Sequence, residues 1–216
     1  MSRRGTALVP GGLVGEFRVV RELGSRTPSV FVARREAAAG ELVVLCRYEC
    51  ADPLVAQMRD TKWIANLKSP NVPRTLGYAA GKESVLVASQ FIDGITLQDF
   101  LTLPGAREAL DLGGWLRVLV DVLAALQAIE ELKDAQGRPL GLVHGQIGPA
   151  DVVLGADGKT RLVNLVRTSS RREHAQAGHL APEILLGVDR VDARADVYSV
   201  GALLWEALSG RRLFEG

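Results

Sequence analysis

The sequence predicts an α+β chain built as two lobes, and three observations carry that prediction. Residues 15–48 and 74–91 have the texture of β-strands, with one stretch of helical spacing between them. Asp93-Gly94 then reads as a linker. Beyond it, apolar residues recur mainly at helical rather than alternating intervals. Strands gathered ahead of helices, instead of alternating with them, mark the α+β class.

The elements follow in order. Residues 1–13, rich in Gly and Arg, read as a flexible leader, residues 14–92 as the strand-rich lobe and residues 93–216 as the helical one. Strands are predicted around Phe17–Val20, Val30–Ala33 and Glu41–Tyr48, with Ala39-Gly40 turning between the last two. Residues 53–67 carry Leu54, Met58, Ile64 and Leu67 at helical spacing, and Ser69-Pro70-Asn71 ends that helix. Strands near 74–79 and 84–91 complete a five-stranded lobe with one helix.

In the second lobe, residues 96–103 read as a short helix and 115–132 as a long one. Leu119, Leu123, Leu126 and Ile129 fall on one face of the long helix, which we read as a core-facing stripe. Val152–Leu154, a turn at Ala156-Asp157-Gly158 and Thr160–Val163 read as a hairpin. The last helix runs from about Ala193 to Ser209, and Gly210 suits its end.

Composition narrows the function. With 216 residues, 47% hydrophobic and 24% charged, the chain can bury a sizeable core. A net charge of +1 gives no reason to expect nucleic acid or an acidic membrane. Two cysteines, Cys46 and Cys50, cannot build a disulfide framework or a four-cysteine zinc site, so reduced thiols are expected. Pro10-Gly11-Gly12 interrupts any N-terminal apolar stretch, and no uninterrupted run approaches the roughly 18 apolar residues of a membrane span. A cytoplasmic location without a membrane segment is the expectation. His174 and His179 have no partners at metal-ligand spacing and read as loop residues.

Specific chemistry enters at residues 143–154, Val-His-Gly-Gln-Ile-Gly-Pro-Ala-Asp-Val-Val-Leu. The frame of His144, Ile147, Pro149 and the apolar Val152–Leu154 resembles the catalytic loop of eukaryotic-type protein kinases. Ala181-Pro182-Glu183 resembles the triplet that closes the activation segment of that family, and the run from Asp196 to Gly210 resembles its central helix. The ordered set spans roughly residue 15 to the end. The resemblance implies a bilobal protein-kinase-like fold and a structural role for Asp196, holding the loop backbone at His144–Gln146. It also implies a C-lobe without its last helices, because the sequence stops shortly after the central helix, where Glu183 would ordinarily find an arginine partner.

Against that frame the catalytic groups depart one by one. Gln146 stands where the resemblance places the general base, Gly145 where it places an arginine, Gly148 a lysine and Asp151 a metal-binding asparagine. Residues Leu23-Gly24 to Val30 keep only the first glycine of the phosphate-gripping loop, and Arg26, Pro28 and Ser29 obstruct its backbone. Cys46 replaces the phosphate-gripping lysine and Val44 the small alanine that packs on adenine. Asp60 replaces the helix glutamate that would pair with that lysine, and reads as a surface residue. Asn164-Leu165-Val166 replaces Asp-Phe-Gly, so one carboxylate and one amide are exchanged between positions 151 and 164.

These departures predict a pseudokinase that acts as a signalling scaffold or regulator by binding another protein. The alternative is a divergent serine/threonine kinase or an ATP-binding protein with residual phosphotransfer. No catalytic residue and no cofactor are expected. Were ATP and magnesium bound, weakly, the resemblance would put them at Gly24, Val30, Val44, Gln90, Ile92, Asp151 and Asn164, with metal at the last two. A solvent-exposed Asp151 is the simpler reading. Thr168, Ser169 and Ser170, beside basic residues, are weak candidates for phosphorylation by another kinase. Val200, Leu203, Leu204, Trp205 and Leu208 are too many apolar residues for one buried stripe, so self-association through this helix is also expected.

Overall fold

The computed structural model describes residues 8–23, 29–37, 40–49, 66–80, 84–134, 136–165, 177–188 and 191–214. The helix expected over 53–67 lies outside them up to residue 65, as do Gly24, Arg26, Pro28, Asp60, Val166, the 168–170 hydroxyls and His174. The chain divides into two compact units, Met1–Ala65 with Arg74–Phe91, and Asn66–Pro73 with Ile92–Gly216.

In the first unit the alternating runs pair into one antiparallel sheet. Its strands are β1 (Leu13–Val14), β2 (Phe17–Glu22), β3 (Ser29–Arg35), β4 (Glu41–Glu49), β5 (Thr75–Ala80) and β6 (Ser84–Gln90), in the order β1-β2-β3-β4-β6-β5. Period-two patterning sends Phe17 and Val19 inward while Arg18 and Val20 stay exposed. They join Phe31, Ala33, Val43 and Leu45 in the core.

The expected five strands therefore gain a sixth, and the leader is not loose from residue 8 onward. The Gly11 N–H donates to Val19 O at 2.8 Å, the Val19 N–H donates to Gly12 O at 2.9 Å, and Leu8 packs on the core. Gly11, with φ of +81°, makes the reversal that brings this segment back along β2.

The second unit opens with a further difference. Gly94–Thr96 is not linker but strand β7, which pairs with β8 (Val152–Gly155), itself paired with β9 (Thr160–Leu162). A side chain at position 94 would collide with the Leu154 carbonyl, so the glycine that suggested a linker is what lets the strands meet. Arg161 grips Asp157 through two hydrogen bonds, of 2.9 and 2.6 Å, and fastens the β8–β9 turn.

Helix α1 (Leu97–Leu101) begins at Thr96, whose Oγ1 accepts the Asp99 N–H at 3.0 Å. Helix α2 (Leu112–Glu130) starts three residues before the expected point, because Asp111 caps it by accepting the Gly114 N–H at 2.7 Å. Gly113 and Gly114 had disguised that first turn as loop. By length and composition α2 is also apolar enough to cross a membrane, contrary to the count of uninterrupted apolar residues. Arg117 and Asp121 interrupt the run without offsetting its apolar content. In the fold, α2 buries Trp115, Val118, Leu119, Val122, Leu126 and Ile129 and packs on β9 and α4, whereas Leu123 of the expected core-facing stripe is 41% exposed.

Two short 3₁₀ turns, Pro149–Asp151 and Ala177–His179, precede β8 and α3 (Pro182–Leu185) respectively. Helix α4 (Arg194–Ser209) ends at Gly210, left-handed at φ of +76°. Residues 66–73 dock in this unit. Leu162 N–H donates to Asn71 O at 2.9 Å, and Asn71 Nδ2 donates to Thr160 O at 3.0 Å.

Asp121 is the exception on the buried face of α2. It is 5% exposed, accepts the Thr160 N–H at 3.0 Å and pairs with Arg117 at 3.2 Å. Asp121→Ala strands the buried Thr160 N–H and is expected to lower unfolding free energy by about 1–3 kcal/mol. Chemical denaturation against Arg117→Ala, expected within about 1 kcal/mol of wild type, checks this.

Candidate functional site

The loop resembling a catalytic loop has no regular structure between Leu142 and Gly148, so its backbone donors need acceptors from elsewhere. Asp196, in the first turn of α4, supplies them. Its Oδ2 accepts the His144 N–H at 2.9 Å and its Oδ1 the Gly145 N–H at 2.6 Å. Asp196 is 5% exposed. Gly145 adopts φ of +71°, a conformation open to glycine without strain.

Gln146, which the resemblance puts at the position of the general base, is 1% exposed, and neither its Oε1 nor its Nε2 has a hydrogen-bond partner among the described residues. His144 is equally buried, its Nε2 3.5 Å from Val163 O and its Nδ1 without a partner among the described residues.

Asp151 is fully buried, which corrects the expectation of an exposed carboxylate. The cause is local. The Pro149–Asp151 turn folds its side chain back, so that Oδ2 accepts the Gly148 N–H at 3.1 Å. Oδ1 accepts from Asn164 Nδ2 at 2.9 Å. The two exchanged residues are thus brought together, and Asn164 reaches its partner from a left-handed backbone, φ of +58°. These are the described residues a divalent cation would have to use. The amide offers Asp151 its N–H₂ group, not its oxygen.

In the first unit, Cys46 is a buried thiol on β4, opposite Val30 on β3 and Val87 on β6. Val30 and Val44 are half-buried. Gln90, also half-buried, closes β6 by donating its backbone N–H to Arg74 O at 2.9 Å. Ile92 is a half-buried residue of the second unit, just ahead of β7.

Ala181-Pro182-Glu183 forms the start of α3. Ala181 is the extended residue before the helix and Pro182 its first residue, where a missing N–H does no harm. Leu180, Ala181 and Ile184 pack on Ala195 of α4. Arg194 is held charged first by its hydrogen bonds to Asp192, with a further contribution from the nearby Glu183 charge.

His179 is not a loop histidine exposed to solvent. It is 1% exposed, and its Nε2 lies 2.5 Å from Glu206 Oε2 on α4. The hydrogen bond from His179 holds the Glu206 carboxyl below the ordinary value of 4.5, assisted by the charges of Arg212 and Arg107. Sequence reading missed this pair, and Asp121 with it. The one available signal was a carboxylate standing within an apolar helical run, at Asp121 and at Glu206.

Comparison with known proteins agrees with this architecture. Residues 41–215 match the family described as protein tyrosine and serine/threonine kinase, and the chain belongs to that family. It is 30% identical to the tyrosine-protein kinase MasK of Myxococcus xanthus, over 74% of this chain and 26% of that protein. It is 28% identical to the serine/threonine-protein kinase pkn2 of Myxococcus xanthus, over 97% of this chain and 26% of that protein. The chain therefore spans about a quarter of the length of these curated relatives. A solved mutant of the PknI kinase domain of Mycobacterium tuberculosis superposes with a TM-score of 0.71, covering 97% of this chain and 80% of that one. At 23% identity that likeness concerns the protein-kinase fold alone.

Two outcomes are expected. Asp196→Ala removes a charged acceptor from two buried N–H groups and should cost about 3 kcal/mol or more of stability. Gln146→Met keeps the volume and removes two unpaired polar atoms, so its melting temperature should equal or exceed that of wild type.

The Glu206 carboxyl also sets a pH dependence. Because its folded pKa is depressed, the stability it contributes is present above the ordinary value of 4.5 and is lost as pH falls through the folded pKa. Glu206→Gln should therefore flatten the acid limb of a stability–pH profile, measured by urea denaturation from about pH 6 to pH 3. An unchanged acid limb would remove Glu206 from the account.

Proposed function

We propose that this chain is a protein-kinase domain without efficient phosphotransfer, which regulates signalling by binding another protein. Gln146 carries the reading. Where the family has a base that accepts a hydroxyl proton, this chain has an amide that cannot titrate near neutral pH. It is also 1% exposed. The metal position supports the same reading. Both oxygens of Asp151 accept N–H groups of this chain, and Asn164 turns a donor toward it. That donor set does not fit a magnesium ion, which prefers converging oxygens with net negative charge. Cys46 lacks the charge and the three donors of a phosphate-gripping lysine. Weak or no ATP binding follows.

A second reading, a divergent serine/threonine kinase, is favoured by the direct contact of Asp151 with Asn164. The position keeps one carboxylate and one amide, exchanged, and an outward turn of Asn164 would free a carboxylate oxygen.

Calorimetric titration with ATP, with and without magnesium, and transfer of labelled phosphate to generic protein substrates decide between the two. The expected result is no magnesium-dependent binding and no transfer above a blank. Tight, magnesium-dependent binding with transfer abolished by Asp151→Ala would overturn the first reading in favour of the second.

A further inference from the structure

Gln146 is buried at an energetic disadvantage. It is 1% exposed, and neither polar atom of its amide has a partner among the described residues. His144, two residues earlier, is equally buried with its Nδ1 in the same condition. Five buried side-chain atoms among the described residues lack a partner, and three of them belong to these two residues, so the unmet polarity is concentrated in one short loop. An amide buried in this way has given up its hydrogen bonds to water and gained none in return. Any motion that returns it to water recovers that loss.

The backbone around Gln146 defines which motion is open to it. Two fixed points bracket the residue. Upstream, the His144 N–H is held by Asp196 Oδ2 at 2.9 Å. Downstream, the Asp151 N–H donates to Gly148 O at 2.9 Å, closing the turn that leads into β8. Between these points lies Gly145-Gln146-Ile147-Gly148, with a glycine at each end. Gly145 stands at φ of +71° and Gly148 at φ of −143°. Without a Cβ, glycine moves between such regions more freely than any other residue, so both can serve as pivots.

Two interactions oppose the motion. Ile147 is fully buried and keeps the segment in. The Gly148 N–H donates to Asp151 Oδ2, at 3.1 Å a longer bond than the 2.6 Å between the Gly145 N–H and Asp196 Oδ1. The segment is therefore held firmly upstream and less firmly downstream. Gln146 pulls outward and Ile147 inward, within the same four residues. Opposed local forces of this kind put two conformations close in free energy.

We infer that Gly145–Gly148 is a two-state latch, closed as described with Gln146 buried, and open with the Gln146 amide turned out. The inference rests on the protein-binding reading above and names how that site is regulated. Only the open state presents Gln146. Its amide then offers a free donor and a free acceptor, the complement of a peptide group on a partner protein. The open population scales the apparent affinity of such a partner.

Native-state hydrogen exchange of the 216-residue chain, read residue by residue by NMR, tests this. The amides of Gln146, Ile147 and Gly148 are compared with that of Thr160, which is held on buried Asp121 and reports wider unfolding. In wild type the three should exchange about tenfold or more faster than Thr160, at rates that low urea does not change. Gln146→Met keeps the volume and removes the amide, so the ratio should fall about tenfold. Gln146→Glu puts a costlier group in the same place, and the ratio should rise about tenfold or more. Equal ratios in wild type and Gln146→Met overturn the inference, because the amide is then paired in the closed state, as by a bound water. Exchange of all four amides at one rate in every variant overturns it equally. Should Gln146→Glu fail to fold, the comparison of wild type with Gln146→Met decides alone. The readout involves no nucleotide, metal or partner, so the latch and the reading of the site can fail separately. Phosphate transfer in the kinase assays would remove that reading and leave the exchange result standing.

Discussion

The second unit is organised around one carboxylate. Asp196 leaves the first turn of α4 and accepts the backbone N–H groups of His144 and Gly145 at 2.9 and 2.6 Å. A loop without secondary structure is thereby fixed to a helix more than fifty residues away in sequence. The fixed loop positions the Pro149–Asp151 turn, that turn folds Asp151 inward, and Asp151 receives Asn164. An ionised acceptor buried beside two N–H donors is strong because both partners are withdrawn from water, and its loss is costly for the same reason.

Three other buried polar groups act similarly at long range. Asp121 ties α2 to the Thr160 backbone, and Asn71 ties residues 66–73 to the same strand. His179 ties the turn before α3 to Glu206 on α4. Apolar packing brings these elements together without direction, whereas a hydrogen bond specifies which atoms meet. The frame of the kinase family is thus held in this chain by Asp196, Asp121, Asn71 and His179. A frame and the chemistry it carries can rest on different residues.

The sequence by itself determined the fold class. Alternation gave the strands β2 to β6, helical spacing and Gly210 gave α4, and the ordered motifs at His144, Ala181 and Asp196 gave the family. These are local periodicities and fixed spacings, set by backbone geometry that each residue carries with it. The resemblance to that family also implied the contact of Asp196 with the loop at His144. Tertiary structure alone decided the edges of elements and the surroundings of polar residues. Gly94 reads as a linker until Leu154 lies against it, and Gly113-Gly114 reads as loop until Asp111 caps the helix. Asp151 and His179 are polar in sequence and buried in the fold, where Asn164, 13 positions from Asp151, and Glu206, 27 positions from His179, pair with them. A side chain's identity states what hydrogen bonds it can make. Whether water or another part of the chain makes them depends on contacts distant in sequence, which no local pattern records.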